Sequence, residues 1–287
     1  MVAASEGGAG SPVWRDAVGT PHVRSGTDAR IACLVPSITE LACTLGLRPN
    51  LVARTGFCVH PRAELADVPK VGGTKDVDIA RLKALCPTHV IVNIDENRKP
   101  DVDEIGRFVP HVIVTHPNAP RDNFDLFRLL GGIFDREKQA EDLCRALEAA
   151  LEEARSRCAD LPRERVLYLI WKNPWMTVAR GTYISQTLAA VGWDTLPEAH
   201  EPRYPQCEPE EMTPRVDRLL LSSEPYRFGP AHVAELSARY PGLPVMLIDG
   251  EMTSWYGPRA IAGFGYLAQL RLDALPCVAR TGKSGPR

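Results

Sequence analysis

The sequence predicts an α/β protein of two Rossmann-like lobes, each built on a largely parallel sheet, joined by one long backbone helix. Three observations predict it: short β-rich runs alternate with helix-period segments, the clear runs fall into two similarly spaced sets, and one amphipathic stretch separates the sets. The first set lies at 30–35, 89–94 and 111–115, the second at 165–171, 218–222 and 244–248. From Ile31 to Val90 to Val112 the steps are 59 and 22 residues, and from Val166 to Leu219 to Val245 they are 53 and 26. Between the sets, 135–159 places Ala140, Leu143, Leu147, Leu151, Ala154 and Cys158 at helical period. Such a helix is about 37 Å long and resists hinging better than loops do, because bending it breaks backbone hydrogen bonds. The expected plan is a flexible tail over 1–28, a lobe over 29–118, the connecting helix within 119–162, a second lobe over 163–275 and a tail over 276–287.

Length and composition agree with that plan. A chain of 287 residues has room for two domains of ~150. Its 44% hydrophobic and 24% charged residues exclude wholesale disorder and collagen. No run approaches the ~20 apolar residues of a membrane helix, so no membrane insertion is expected. With 34 basic and 36 acidic residues the net charge is −2, too small for a field that holds nucleic acid or an anionic bilayer. A small-molecule ligand is therefore expected. The 8 cysteines form no C-x-x-C and no paired zinc spacing, which reads as a reduced chain. The first 28 residues hold Trp14, Arg15, Asp16, Arg24 and Asp28 and no apolar stretch of seven, so no signal peptide is drawn there and a cytoplasmic location is expected.

Parallel α/β sheets bind ligands beyond the carboxyl ends of their strands. After the first run comes Pro36-Ser37-Ile38-Thr39-Glu40, with Ser37 placed to cap a helix; after the second, Asp95-Glu96-Asn97-Arg98; after the third, His116-Pro117-Asn118. The later lobe offers Trp171-Lys172-Asn173-Pro174-Trp175, Ser223-Glu224-Pro225-Tyr226, Asp249-Gly250-Glu251 and Ser254-Trp255-Tyr256-Gly257-Pro258-Arg259. Acids and aromatics thus gather on one rim. The candidate ligand residues are Glu96, Trp171, Trp175, Glu224, Tyr226, Glu251, Trp255 and Tyr256, and the tryptophans favour a flat, partly apolar ligand. Structural readings stand beside these: Glu96 and Glu224 as caps of following helices, Trp171 and Trp175 as plugs at the core edge, and Arg259 as a helix-opening residue.

Cys58-Val59-His60-Pro61 is the sharpest metal-like feature, since residues two apart on an extended segment point the same way. Cys58 and His60 are the candidate ligands, with Glu96, Glu224 or His116 as a third; a thiolate plus imidazole favours zinc or another borderline transition metal ion over calcium or magnesium. An ordinary loop cysteine beside a backbone-bonded histidine, or a nucleophilic Cys–His pair, are the alternatives. The sequence has no P-loop and no G-x-G-x-x-G, and Gly72-Gly73-Thr74-Lys75 lacks the preceding glycine of a phosphate loop.

The strings Ile31-Ala32-Cys33-Leu34-Val35-Pro36-Ser37-Ile38-Thr39-Glu40-Leu41, Leu45-Gly46-Leu47, Pro69-Lys70-Val71-Gly72-Gly73 and Leu82-Lys83-Ala84-Leu85-Cys86-Pro87 resemble, in order and spacing, the helical-backbone (class III) substrate-binding proteins of ABC importers. The resemblance covers roughly 30–275, and is nearest to the cobalamin-binding branch and to leaderless relatives described as helical backbone metal receptors. It implies a receptor binding a metal chelate, a corrinoid or haem-like ligand, or a metal ion between its lobes. By the same resemblance Tyr204, in Arg203-Tyr204-Pro205-Gln206, takes the place of an aromatic laid against a corrin, Glu251 falls near a ligand-contacting acid and Trp255 near a contacting arginine. An enzyme or metal-dependent catalyst on the same scaffold, or a cytosolic metal sensor or chaperone, is the alternative. No complete catalytic constellation is visible, so binding leads and no catalytic residue is assigned. In the family each lobe presents a surface glutamate to the permease; here the first position carries Ala80, and Glu210 is the second-lobe candidate. Docking on an ABC permease is therefore not expected.

Overall fold

The chain enters through a short hairpin, β1 (Val13–Arg15) and β2 (Pro21–Val23), paired antiparallel. The computed structural model describes residues 12–199 and 201–275. Four parallel strands follow: β3 (Ile31–Cys33), β4 (Leu51–Arg54), β5 (His89–Asn93) and β6 (His111–Thr115). Between and after them lie the helices α1 (Pro36–Thr44), α2 (Ile79–Ala84), α3 (Lys99–Ile105) and α4 (Asp122–Ile133). The sheet order is β4-β3-β5-β6, so the strand order reverses between β3 and β5. Every residue of β5 is buried, as a strand covered by helices on both faces requires. Ala32, Leu34, Val90 and Val92, two residues apart along their strands, turn one face into a core with Leu82 and Ile105.

The second sheet repeats the plan. Its strands are β7 (Glu164–Leu169), β8 (Trp193–Thr195), β9 (Arg218–Ser222) and β10 (Val245–Ile248), all parallel, in the order β10-β9-β7-β8. The helices are α6 (Tyr183–Ala189), α7 (Pro209–Met212), α8 (Pro230–Arg239), α9 (Gly250–Ser254) and α10 (Arg259–Asp273), with α5 (Glu137–Cys158) before β7. Leu167, Leu169, Leu219 and Leu221 again share one face, packed with Leu236 and Phe228. In both sheets the first strand in sequence is flanked by the second and third, and the switch point lies between first and third.

Two compact units result. One comprises the chain up to Pro117 with Arg121–Ala146 and Tyr256–Pro258; the other comprises Asn118–Pro120, Leu147–Trp255 and the chain from Arg259. The helix that carries the chain from one unit into the other is α5, whose 22 residues make it about 33 Å long. Its amino end is set by Asp135, whose φ of +57° stops α4, and by the close approach of Gly131 to Ala140, where a methyl group on the glycine has no room.

Three expectations change. The described part of the 1–28 segment is not a tail: Asp16 accepts hydrogen bonds from the backbone of Val18, Thr20 and Val114 and lies 3.2 Å from His22, while Ala17 donates to Val114 on β6. The Trp14 ring fills the space above Gly132, so the hairpin is packed on α4. Strands β4 and β8, with four and three residues, are too short to give a periodic signal and were not expected. Within 119–162 the chain forms two helices, α4 and α5, rather than one. The expected tail over 276–287 lies outside the described residues, as do 1–11.

At the amino end of the second sheet Glu164 ties three elements together. Its carboxylate lies 3.0 Å from Arg218 Nε on β9 and 3.1 Å from Arg271 Nη1 on α10, and accepts the Trp193 indole N–H from β8 at 3.0 Å. The Arg271 side chain is 0% exposed. Glu164→Gln leaves that guanidinium without its counter-charge and is expected to destabilise the second unit by about 3–5 kcal/mol. Urea unfolding followed by fluorescence checks this; a loss under about 1 kcal/mol contradicts it. In the first unit, His89 stacks on His111 at 4.5 Å and meets Phe134 edge-on at 5.3 Å. Burial, then the neighbouring His111 and His22, lower its pKa from 6.5 to about 4. Between those values the unfolded chain binds the proton and the native chain does not. Stability is therefore full above 6.5 and falls as pH drops toward about 4. His89→Phe is expected to flatten this slope in urea midpoints measured across the window, and an unchanged slope rules the assignment out.

Candidate functional site

The carboxyl ends of β7 and β9 carry an aromatic cluster. Beyond β7 the chain turns at Asn173, whose φ is +62°, and comes back so that Met176 donates to the Trp171 carbonyl and accepts from Ile170. Residues 203–207 run beside the returning segment through Ala179 N–H to Arg203 O and Cys207 N–H to Trp175 O, which places Tyr204 on the same ribbon. Trp175 lies parallel to Phe228 with centroids 6.0 Å apart; Phe228 meets Tyr226 at 4.7 Å, and Tyr226 meets Trp171 edge-on at 5.6 Å. His232 stands edge-on to both Tyr226 and Phe228. Trp171 and Tyr204 remain 40% and 37% exposed, unusual for such large apolar surface. Lys172 lies over the Trp175 ring at 5.4 Å and is held there by Glu235 at 2.7 Å.

Glu224, two residues past β9, is held in place by both its backbone and its side chain. Ser222 accepts from Tyr168 OH and donates to the Glu224 carbonyl at 2.6 Å, fixing the backbone. The carboxylate Oε1 accepts the Ser254 hydroxyl and the Trp255 indole N–H, both at 2.8 Å. Gly250 is required here, because a Cβ on it meets the Glu224 and Ser222 side chains. Burial raises the Glu224 pKa above the usual carboxylate range; the Glu251 and Asp249 carboxylates add to this, and the two donors offset part of it. Glu251 pairs with Arg259 at 3.2 Å, and Arg259 covers the Trp255 ring at 5.0 Å. Trp255 is only 9% exposed, so its indole acts as a hydrogen-bonded buttress of Glu224.

In the first unit the switch point is closed by Asn97. Its side chain accepts from Asn93 N–H at 2.8 Å and donates to Leu34 and Thr74 carbonyls. Beside it Glu96 accepts the Tyr256 hydroxyl. Gly257, with φ +88°, follows against the Ser37 carbonyl and donates to Asn123 at 2.6 Å. The expected cap role of Ser37 does not hold: Val35 is the N-cap, Ser37 sits inside the helix, and its buried hydroxyl has no hydrogen-bond partner among the described residues.

The structure does not build a metal site from Cys58 and His60. The segment before them is a turn rather than a strand, which breaks the two-residue alternation. Cys58 is 0% exposed; its Sγ lies 3.0 Å from the Thr39 hydroxyl and 3.2 Å from that of Thr55, inside the core, whereas His60 is partly exposed. Burial pushes the Cys58 thiol pKa up, against the thiolate that a metal or a nucleophilic role needs. Among the described residues no group of three or more His, Cys, Asp or Glu is arranged to hold a metal ion. Phe228 and His232 were not foreseen; the Phe228-Gly229-Pro230 string, an aromatic just before a helix start, is the signal that marks them.

A model of the family described as periplasmic binding protein matches residues 31–224. The vitamin B12-binding protein of Vibrio vulnificus (strain CMCP6) is 22% identical over 194 residues, which covers 68% of this chain and 71% of that protein. Among solved structures, the periplasmic vitamin B12-binding protein of Vibrio cholerae superposes with a TM-score of 0.74 at 19% identity, covering 86% of this chain and 98% of that one. The periplasmic haem-binding protein of Roseiflexus sp. RS-1 gives 0.73 at 21%, covering 86% and 99%. These similarities correct the cytoplasmic location expected from the sequence, because the matched family and the similar structures are periplasmic. Ala80 and Glu210 are both exposed, Glu210 in an ion pair with Arg239. Among the described residues no helix is long and apolar enough to cross a membrane.

The Glu224 geometry separates two substitutions. Glu224→Gln keeps an oxygen for Ser254 and Trp255 and removes a carboxylate that burial disfavours. Because the native pKa is raised, the charge costs stability as pH rises above the ordinary carboxylate value, so the Gln variant is expected to match or exceed the parent at neutral pH. Glu224→Ala strands both donors and is expected to lose about 1–3 kcal/mol. Thermal unfolding of the two variants at neutral pH tests this, and a Gln variant as weak as the Ala variant contradicts it.

Proposed function

The chain belongs to the periplasmic binding protein family, and from that premise we propose that it is a ligand-binding receptor for a flat, metal-centred macrocycle of the corrinoid or haem kind. The observation that carries the reading is the aromatic surface left open at the strand ends of the second unit. Trp171 and Tyr204 keep over a third of their surface exposed, although the same unit buries Trp193 completely. A flat ring laid on these side chains removes that surface from water at about 25 cal/mol per Å². The backing is rigid: Trp171 leans on Tyr226, which leans on Phe228, which stacks on Trp175. Relatives named for binding vitamin B12 and haem supply the ligand class. In this reading Trp171, Trp175, Tyr204 and Tyr226 form the ring-facing wall, and Glu224, Glu251 and Trp255 its polar margin. The metal belongs to the cargo and needs no protein-held ion.

Stacking on indoles quenches their emission. Titration with hydroxocobalamin, cobinamide and haem is expected to quench tryptophan fluorescence for at least one of them. Trp171→Ala is expected to weaken that ligand by more than about 1 kcal/mol, the size of an anchoring aromatic. No quenching by any of the three, with no heat in calorimetry, defeats the proposal.

A further inference from the structure

Resting on that reading, we propose that Glu224 is a specificity-determining residue, whose Oε2 selects macrocycles edged with hydrogen-bond donors such as carboxamides and rejects those edged with carboxylates. Both of the hydrogen bonds that hold the side chain fall on Oε1. Among the described residues Oε2 accepts none, and the residue is only partly buried. The carboxylate is thus fixed by one oxygen and offers the other. An ionised carboxylate is an acceptor only, so the group that completes it must bring an N–H or O–H, or a positive charge. A ligand carboxylate set there places two like charges together in a partly desolvated position, which is costly for both.

The cations packed on this unit's tryptophans do not relieve that clash. Lys172 is engaged with Glu235 and Arg259 with Glu251, and each also lies over an indole. Asp249 is used as the N-cap of α9, where it accepts from Met252, and it adds negative charge near Glu224. A carboxamide needs no such cation and gives Oε2 a charge-assisted hydrogen bond.

The test holds the ring constant and changes its edge. Dicyanocobinamide carries carboxamides, and dicyanocobyrinic acid carries carboxylates on the same corrin. The wild-type chain is expected to bind the first at least about tenfold more tightly at neutral pH, and Glu224→Gln, whose amide presents a donor, to narrow that ratio. Trp171→Ala is expected to weaken both ligands alike and leave the ratio unchanged, since it acts on the ring face. Equal affinities in the wild type, tighter binding of the acid, or an unaltered ratio in Glu224→Gln overturns the role of Glu224 while leaving the receptor reading intact. Failure of all tested macrocycles, haem included, to bind overturns the receptor reading and this proposal with it.

Discussion

The Glu164 carboxylate is the constraint on which the second unit is built. β9 begins at Arg218 beside Val166, so the Arg218 side chain reaches back to Glu164 at the start of β7 and the two charges answer each other. Arg271 enters from α10 with no exposed surface, donates through Nη2 to the Pro162 carbonyl, and lies over Trp193. A charge so fully withdrawn from water is tolerated only when its partners are fixed, which locks α10, β7, β8 and β9 to one another. The carboxyl end carries exposed aromatic surface instead. Glu224 there has one oxygen held and one open, and indole surface lies bare. The contrast between the two ends of one sheet supports the proposed binding surface at the second.

The first unit solves the same topological problem differently. At its switch point Asn97 bridges three backbone groups, so the gap where the strand order reverses is filled by the protein itself. Glu96 is turned toward Tyr256. The two units therefore share a strand order without sharing a surface chemistry: one end is closed by an amide network, the other left open by aromatics and an acid.

The fold was legible wherever a strand is buried on both faces. β5 and β9, buried along their whole length, coincide with apolar runs because a helix-covered parallel strand has no polar side to show, whereas the edge strands β6 and β10 are only partly buried and were found by their β-branched and apolar residues. What escaped was short or depended on partners far along the chain. β4 and β8 are edge strands of three or four residues, and the 13–23 hairpin is held by Gly132 and Val114, which nothing local announces. The rim of acids and aromatics was visible because a loop after a strand can be read without knowing its neighbours. Which of those residues stay exposed was not, since Trp255 and Trp171 look alike in sequence and differ only in what packs on them. Cys58 shows the limit of local reasoning: the two-residue alternation belongs to strands, and a turn before it sends the thiol inward.

Division of labour among the tryptophans follows from hydrogen-bond accounting. Trp193 gives its N–H to Glu164 and Trp255 gives its own to Glu224, so both indoles find their acceptor in a partly buried carboxylate and serve to orient acids. Trp175 has Phe228 parallel to its ring and the Lys172 ammonium over it, which fixes its plane without hiding it. Trp171 alone among these four keeps 40% of its surface in water. A side chain this large is costly to leave exposed on a rigid support, and the support is rigid here because Tyr226 is held by both Phe228 and the Ile170 carbonyl. An indole that is immobilised but uncovered forfeits side-chain entropy before any ligand arrives, so a ring that settles on it has less ordering left to oppose it. The preorganised aromatic face and the half-satisfied carboxylate are thus two expressions of one arrangement, in which the cost of building the site is met by the fold.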